Sequence, residues 1–471
     1  MTSSFETHSS QPRKINDRRE IFGWAMYDWA NSAFSTTVIA VFLGPYLASL
    51  ASDAAAAAGT TTLNILGWAV QPESVFVYAT SLSVVLQVFF LPILGAIADY
   101  SHVRKRMLQI FAVFGAIATT ALWFVQGDLW WLGALLYVLT NLSFGAAMVF
   151  YNAFLPDIAS NDQQDSVSSF GWAMGYLGGG LLLLANLILY QLRDTLGLSG
   201  TTAVRINLAS AGVWWFGFSF FTWARLRSRS AIRALPAGES YLTIGFKQLA
   251  QTFREAGRFP HTLRFLLAYL IFNDGIQTVI SAAASFAAAP IIRGGLGIEQ
   301  GSLIQVILMI QFVAFLGALG FGRLAARFGA RNILAISLLI WAGVVTYAYF
   351  GLNGDDLAFG LMPRREFEFW LLGAAIALVM GGSQAISRSL FARMIPPGKE
   401  AEFFSIYEVS ERGTSWIGPL LFGLVNDLFG NLRLAILSLI VFFVVGLALL
   451  VLWVNVDRAI AESGRPGAVA S

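Results

Sequence analysis

Cysteine is absent from the 471 residues. That excludes disulfides, thiolate nucleophiles and cysteine-bound metal or iron–sulfur centres, and it leaves the compartment open. Charge is scarce, with Asp, Glu, Lys and Arg at 12% of the chain, about half the share in an ordinary soluble domain. Histidine is limited to His8, His102 and His261, all outside the apolar runs, and no GxxxxGK[ST] loop occurs. Neither ATP-driven chemistry by this chain nor a histidine- or carboxylate-bound catalytic metal is expected. The chain is therefore read as a non-enzyme, with no cofactor, no metal and no nucleic-acid partner.

What is abundant is apolar surface. Hydrophobic residues make up 57% of the chain and glycine contributes 45 residues, a composition that suits close-packed membrane helices. Uncharged stretches of about twenty residues, each able to cross roughly 30 Å of hydrocarbon, recur throughout. They predict spans at Phe22–Leu50, Val75–Ala98, Met107–Val125, Leu129–Phe154, Val167–Gln191 and Ala203–Trp223. Six more are predicted at Leu263–Ala289, Ser302–Gly322, Ile333–Phe350, Phe369–Phe391, Phe403–Val425 and Leu434–Val454. These runs are too long and continuous for transmembrane strands, which need only ~10 alternating residues, so an all-α polytopic membrane protein is expected.

Lys and Arg set the orientation. With both termini inside, 23 of them fall on the inner side and six on the outer, and Arg412 lies within a span. The bias predicts cytoplasmic termini and an even helix count, in an inner or plasma membrane. Some twenty polar residues precede a first span longer than a signal-peptide core, so no cleavable signal is expected. The predicted organisation is a tail at 1–21, a six-helix bundle at 22–223, a basic linker at 224–260, a second bundle at 261–454 and a tail at 455–471. Within the linker, Tyr241–Arg258 reads as an amphipathic surface helix.

The halves repeat. After span 2 the chain reads Gly95-Ala-Ile-Ala-Asp99-Tyr-Ser-His-Val-Arg104-Lys105-Arg106, and after span 8 Gly322-Arg323-Leu-Ala-Ala326-Arg327-Phe-Gly329-Ala-Arg331. Glycine permits close helix approach, and the basic cluster anchors the turn at the inner leaflet. Both resemble the signature turn of the major facilitator superfamily, which implies gating roles for Gly95, Asp99, Arg104, Gly322 and Arg327. Ala326 stands where the second copy would carry its acid, so a gating ion pair is expected in the first half.

Spans 1 and 7 carry matching polar stripes, Asp28, Asn31, Ser32, Ser35 and Asp274, Gln277, Thr278, Ser281, each on one helix face. Helix-to-helix glue is one reading. A solute or proton site is favoured, because an intramembrane carboxylate costs ~3 kcal/mol or more. Span 11 adds Glu408, Glu411 and Arg412, with Glu408 and Arg412 spaced for an i, i+4 ion pair. Four carboxylates against one Arg leave an excess of three negative charges, to be neutralised by protons, another cation or a cationic group of the solute. Span 10 contributes Gly381-Gly382-Ser383-Gln384 and Ser387-Arg388-Ser389, a flexible gate or a packing site. Gly171, Gly175 and Gly179 in span 5 read as a packing stripe.

Several runs are similar to the vacuole-effluxer-like permeases, a family related to the fungal autophagy-associated amino-acid effluxer. They are Gly23–Phe34 around Tyr27-Asp28, Phe272-Asn273-Asp274-Gly275-Ile-Gln277-Thr278, Gln384–Leu390 and Glu402–Val409. The resemblance implies twelve helices in two pseudo-symmetric six-helix bundles, the major facilitator fold, working as a monomer in the lipid bilayer by alternating access. It also implies an amino acid or similar small polar solute, moved by efflux or import. From the residues themselves, proton movement through one or more of the intramembrane acids is expected to drive or balance transport. The expected solute and proton residues are Asp28, Asn31, Ser35, Asp274, Gln277, Gln384, Glu408, Glu411 and Arg412, with Arg388 joining the gate. The competing class is a non-transporting membrane receptor or enzyme. A channel is disfavoured because the charges form one layer and not rings.

Overall fold

The structure is a computed structural model that describes residues 15–464 except 66, 73, 100–102, 229–257, 290, 355, 359–361 and 413–416. The side chains of Asp99 and Arg412 and the predicted amphipathic linker helix lie outside the described residues. Helices dominate, because backbone groups without water must satisfy one another within the segment. The first half contains α1 (Arg18–Ala57), α2 (Ser74–Asp99), α3 (Arg104–Thr120), α4 (Trp130–Asn152), α5 (Gln164–Gln191) and α6 (Gly200–Arg225). The second contains α7 (Pro260–Ala288), α8 (Gln300–Phe328), α9 (Ala330–Phe350) and α10 (Arg364–Met394), then α11 and α12 (Leu432–Trp453). Helix α11 is described in two pieces, Glu400–Arg412 and Ile417–Phe429.

Among the described residues, ten helices are long and apolar enough to cross a membrane. The two predicted spans outside that set have visible reasons. Helix α6 is 26 residues long, but Asn207, Ser210, Ser219 and three Trp dilute its apolarity. Helix α11 is split around residues outside the described set. Two short antiparallel strand pairs, Leu63–Ile65 with Trp68–Val70 and Leu357–Ala358 with Met362–Pro363, decorate loops at the same end of the bundle.

Local chemistry sets the helix ends. Asp17 accepts from Arg19 N–H at 2.9 Å to cap α1, and Ser199 accepts from Thr202 N–H at 3.1 Å to cap α6. Gly329, at φ 86°, joins α8 to α9 through a single residue, a conformation that penalises any side chain. Helix α1 runs 40 residues, about 60 Å if straight at 1.5 Å per residue, twice the hydrocarbon thickness. Its middle, Phe34–Phe42, is a π-helix, the wider winding often found beside functional sites.

The halves meet through α2 against α11 and through α5 against α8 and α10. Both crossings depend on the glycines of the two signature turns. A Cβ on Gly95 would lie 2.5 Å from the Ala401 carbonyl oxygen, and one on Gly322 only 2.4 Å from the Ser169 side chain. Ala401 and Ser405 on α11 thus receive Gly95 as the Asp165 and Ser169 positions on α5 receive Gly322. The same end carries ion pairs between the halves, Arg104 with Glu400 at 3.4 Å and Arg393 with Asp165 at 2.8 Å, and Arg104 also pairs with Asp157 of its own half at 3.1 Å. The bundle is therefore sealed at the end that carries Arg104, Arg327 and the first and last described residues.

Candidate functional site

Above that seal lies a cavity of about 500 Å³ between the halves. Its lining runs from Asp28 along α1 to Ala40 and includes Thr80, Tyr137 and Asn141, so it extends away from the sealed end. Asn31, Ser35, Gln277, Gln384 and Glu411 all line it. Asn31 Nδ2 contacts Met148 Sδ at 3.2 Å, and Ser35 Oγ donates to the Ser32 carbonyl at 3.1 Å. Tyr176 O–H donates to Gln384 Oε1 at 3.3 Å, and Tyr269 O–H to Glu411 Oε2 at 3.1 Å. Much of the remaining surface is apolar, supplied by Ile39, Val84, Phe144, Ile280 and Met380. A concave apolar site with a few convergent polar groups is the ordinary form of a small-molecule site.

The floor of the cavity is an ion pair. Asp28 on α1 accepts from Arg388 Nη1 of α10 at 3.3 Å and from the Tyr151 hydroxyl of α4 at 2.7 Å. Arg388 belongs to the second half, yet its described partners besides Asp28 also stand on the first. Its Nε donates to Ser168 Oγ at 2.9 Å, its Nη2 to the Ser168 carbonyl at 2.7 Å and its Nη1 to Asn152 Oδ1 at 3.3 Å. The faces of Trp24, Tyr151 and Trp172 surround the guanidinium at 5.0, 5.6 and 5.4 Å, within cation–π range. Only 1% of Arg388 is exposed. A buried guanidinium persists only when its fork is paired and hydrogen-bonded, and here it is.

Packing details make room for that pair. A Cβ on Gly171 would lie 2.7 Å from Asp28 Oδ2 and 3.0 Å from Arg388 Nη2, and one on Gly175 2.7 Å from Ser32 Oγ. The glycine stripe of α5 therefore clears space for charged and polar side chains in addition to bringing helices together.

Other predicted residues occupy different places. Asp274 is not among the residues that line the cavity: it is buried on α7, where Oδ2 accepts from Gly418 N–H at 2.8 Å and Oδ1 has no hydrogen-bond partner among the described residues. The sequence repeat puts Asp28 and Asp274 in matching stripes, but the helices facing them differ, so their environments diverge. Glu408 reaches across to α4 and accepts from Asn152 Nδ2 at 2.8 Å. The predicted Glu408–Arg412 pair falls on a side chain outside the described residues. Arg388, read from the sequence as a topology and gate residue, sits beneath the cavity, because its long side chain turns inward onto Asp28. Arg104 bridges the halves at the sealed end, whereas Arg327 is exposed over the Phe328 ring.

A family model described as "Vacuole effluxer Atg22 like" matches residues 16–464. The chain is 30% identical to the uncharacterized MFS-type transporter YxiO of Bacillus subtilis, over 91% of this chain and 93% of that protein. It is 26% identical to autophagy-related protein 22-1 of Penicillium rubens, over 96% and 92% of the two chains. Among solved structures, the human organic anion transporter MFSD10 aligns with a TM-score of 0.65 at 15% identity, over 94% of this chain and all of that one. FucP in its outward conformation aligns at 0.63 and 13% identity, over 92% and 99%. The chain thus has the major facilitator fold and belongs to the vacuole effluxer Atg22-like family.

Proposed function

We propose that this chain, a secondary transporter by family, carries a small polar solute of amino-acid type by alternating access between its halves. The observation that carries the reading is the 500 Å³ cavity, in which Glu411 and Asp28 are the charged groups among amides, hydroxyls and apolar walls. Glu411 suits an ammonium group, and Asn31, Ser35, Gln277 and Gln384 offer hydrogen bonds to the rest of such a solute. Size supports a single small molecule. The sealed end, with its excess of Lys and Arg, is the cytoplasmic end of a plasma or inner membrane in this reading. Each half then forms a six-helix bundle, with the linker between them on the cytoplasmic side.

Proton coupling belongs to the same reading. Asp28, Asp274 and Glu408 are buried at 6%, 1% and 1% exposure, and buried carboxylates need a counter-charge or a proton. Asp28 has Arg388, while Asp274 has the Gly418 amide and a second oxygen with no hydrogen-bond partner among the described residues. A proton on Asp274 meets that need.

Purified protein in liposomes provides the test. Labelled amino acids, peptides, sugars and nucleosides are presented with and without a pH gradient. The expected result is saturable amino-acid flux that follows the gradient and is lost in Asp28→Asn combined with Asp274→Asn. Flux that ignores the gradient and survives both substitutions refutes the coupling. Flux of only another solute class refutes the substrate assignment.

A further inference from the structure

We infer that Asp28 and Arg388 form a proton-operated latch between the two halves: with Asp28 ionised the basic end stays shut, and a proton taken up by Asp28 from the cavity lets it open. The inference rests on the transport reading above, but its geometry stands separately. The Arg388 guanidinium is a single side chain of α10 held by α1, α4 and α5, through Asp28, Asn152, Ser168 and the rings of Trp24, Tyr151 and Trp172. No movement that parts α10 from α4 and α5 at the sealed end can keep these contacts.

The cost of parting depends on Asp28. If it is ionised when Arg388 withdraws, a buried carboxylate loses its counter-ion and keeps the Tyr151 hydroxyl, an arrangement that burial penalises heavily. If it has taken a proton from cavity water, it is neutral, its attraction to the guanidinium falls to an ordinary hydrogen bond, and the halves separate without stranding that carboxylate. Arg388 remains a cation throughout, since guanidinium does not deprotonate in proteins. The proton enters from the cavity, which Asp28 lines, and leaves toward the basic end once that end has opened. Arg388 is thus a positioning residue, and Asp28 is the titrating one.

The groups that face Asp28 bear this out. They are Arg388 from α10, Tyr151 from α4, Tyr176 from α5 and Tyr27 from its own helix. Glu408 on α11 connects to the pair through Asn152, and Glu411 shares the cavity. Tyrosines do not ionise in the physiological range, which leaves the three carboxylates as the groups to separate by experiment.

Because the chain has no cysteine, two introduced cysteines give uniquely placed spin labels. Arg106→Cys at the start of α3 and Phe328→Cys at the end of α8 are exposed positions on opposite halves at the basic end. Their separation is measured in liposomes, with no solute, as pH is lowered. The expected result is a shift from short to long distances, by roughly tenfold or more in population ratio. Asp28→Asn and Arg388→Gln should show long distances at every pH, and Arg388→Lys should not restore the short population because it lacks the fork. Glu408→Gln and Glu411→Gln should keep the pH response. A wild-type distribution that ignores pH overturns the latch without any variant having to fold, and so does a pH response that survives Asp28→Asn. Opening without amino-acid flux would count against the transported solute and not against the latch, and flux without opening would do the reverse.

Discussion

Replacing Gly171 by alanine adds one methyl group beside the ion pair that joins the halves. That carbon would stand 2.7 Å from Asp28 Oδ2, 2.8 Å from the Trp24 ring and 3.0 Å from Arg388 Nη2. Contact distances for carbon begin near 3.5 Å, so at least one of these groups must move by several tenths of an ångström. Trp24 is wedged by its stack on Tyr151, with centroids 4.4 Å apart, and by a 2.9 Å bond from its ring N–H to the Tyr151 carbonyl. The ion pair is the softer partner and should yield. Overpacking of this kind costs about 1–3 kcal/mol, and the cost falls only on the arrangement in which Arg388 is caged. The gain of about 1 kcal/mol in helix propensity for Gly→Ala is common to both arrangements and cancels between them. The ratio of open to sealed basic ends should therefore rise by about 5- to 150-fold. The assay is the same label distance between positions 106 and 328. Gly217→Ala on α6, where a Cβ meets nothing within 4 Å, is the control and should leave the ratio unchanged. If Gly171→Ala behaves like Gly217→Ala, the caged pair does not hold the halves together and the reasoning fails.

The remaining predictions follow from the same contacts. Gly322→Leu and Gly95→Val should each lower the melting temperature of the purified protein, since their side chains would collide with Ser169 and with the Ala401 backbone; unchanged melting would show that these crossings are looser than drawn. Asp28→Asn should destabilise the sealed form by about 3–5 kcal/mol by stranding the Arg388 charge. Asp274→Asn, whose acid oxygen takes only the Gly418 amide among the described contacts, should cost about 1 kcal/mol or less. Equal losses of melting temperature would refute the asymmetry between the two acids. Glu411→Gln should raise the KM for an amino acid roughly tenfold or more, with a smaller effect on uncharged solutes, because a charge-assisted bond contributes about 1.5–3 kcal/mol; concentration dependence of uptake decides it.

Legibility in the sequence followed the strength of each residue's physical signal. Asp28 and Asp274 stood out because a carboxylate in an apolar run is costly and rare. Arg388 was visible too, but at the inner end of a span it reads equally as an interfacial anchor, and only its inward turn onto Asp28 separates the two roles. Tyr151, Trp24, Trp172, Ser168 and Asn152 carried no comparable signal, because aromatic and small polar residues recur along membrane helices for packing and anchoring. Their partners are far apart in the chain, 123 residues for Tyr151 with Asp28 and 360 for Arg388 with Asp28. Gly171 read as helix packing and proved also to be clearance for an ion pair.

By itself the sequence determined the all-α membrane architecture, the approximate positions of the helices, the family and the short list of intramembrane charges. Those properties depend on local quantities: the length of an apolar run, the cost of a charge within it and the identity of a motif. Only the tertiary structure decided which end is sealed, that Asp28 and Asp274 occupy unlike surroundings despite matching stripes, and that Arg388 of one half is caged by the other. Each of these depends on which helix faces which, a choice made by packing across hundreds of residues and absent from any single span.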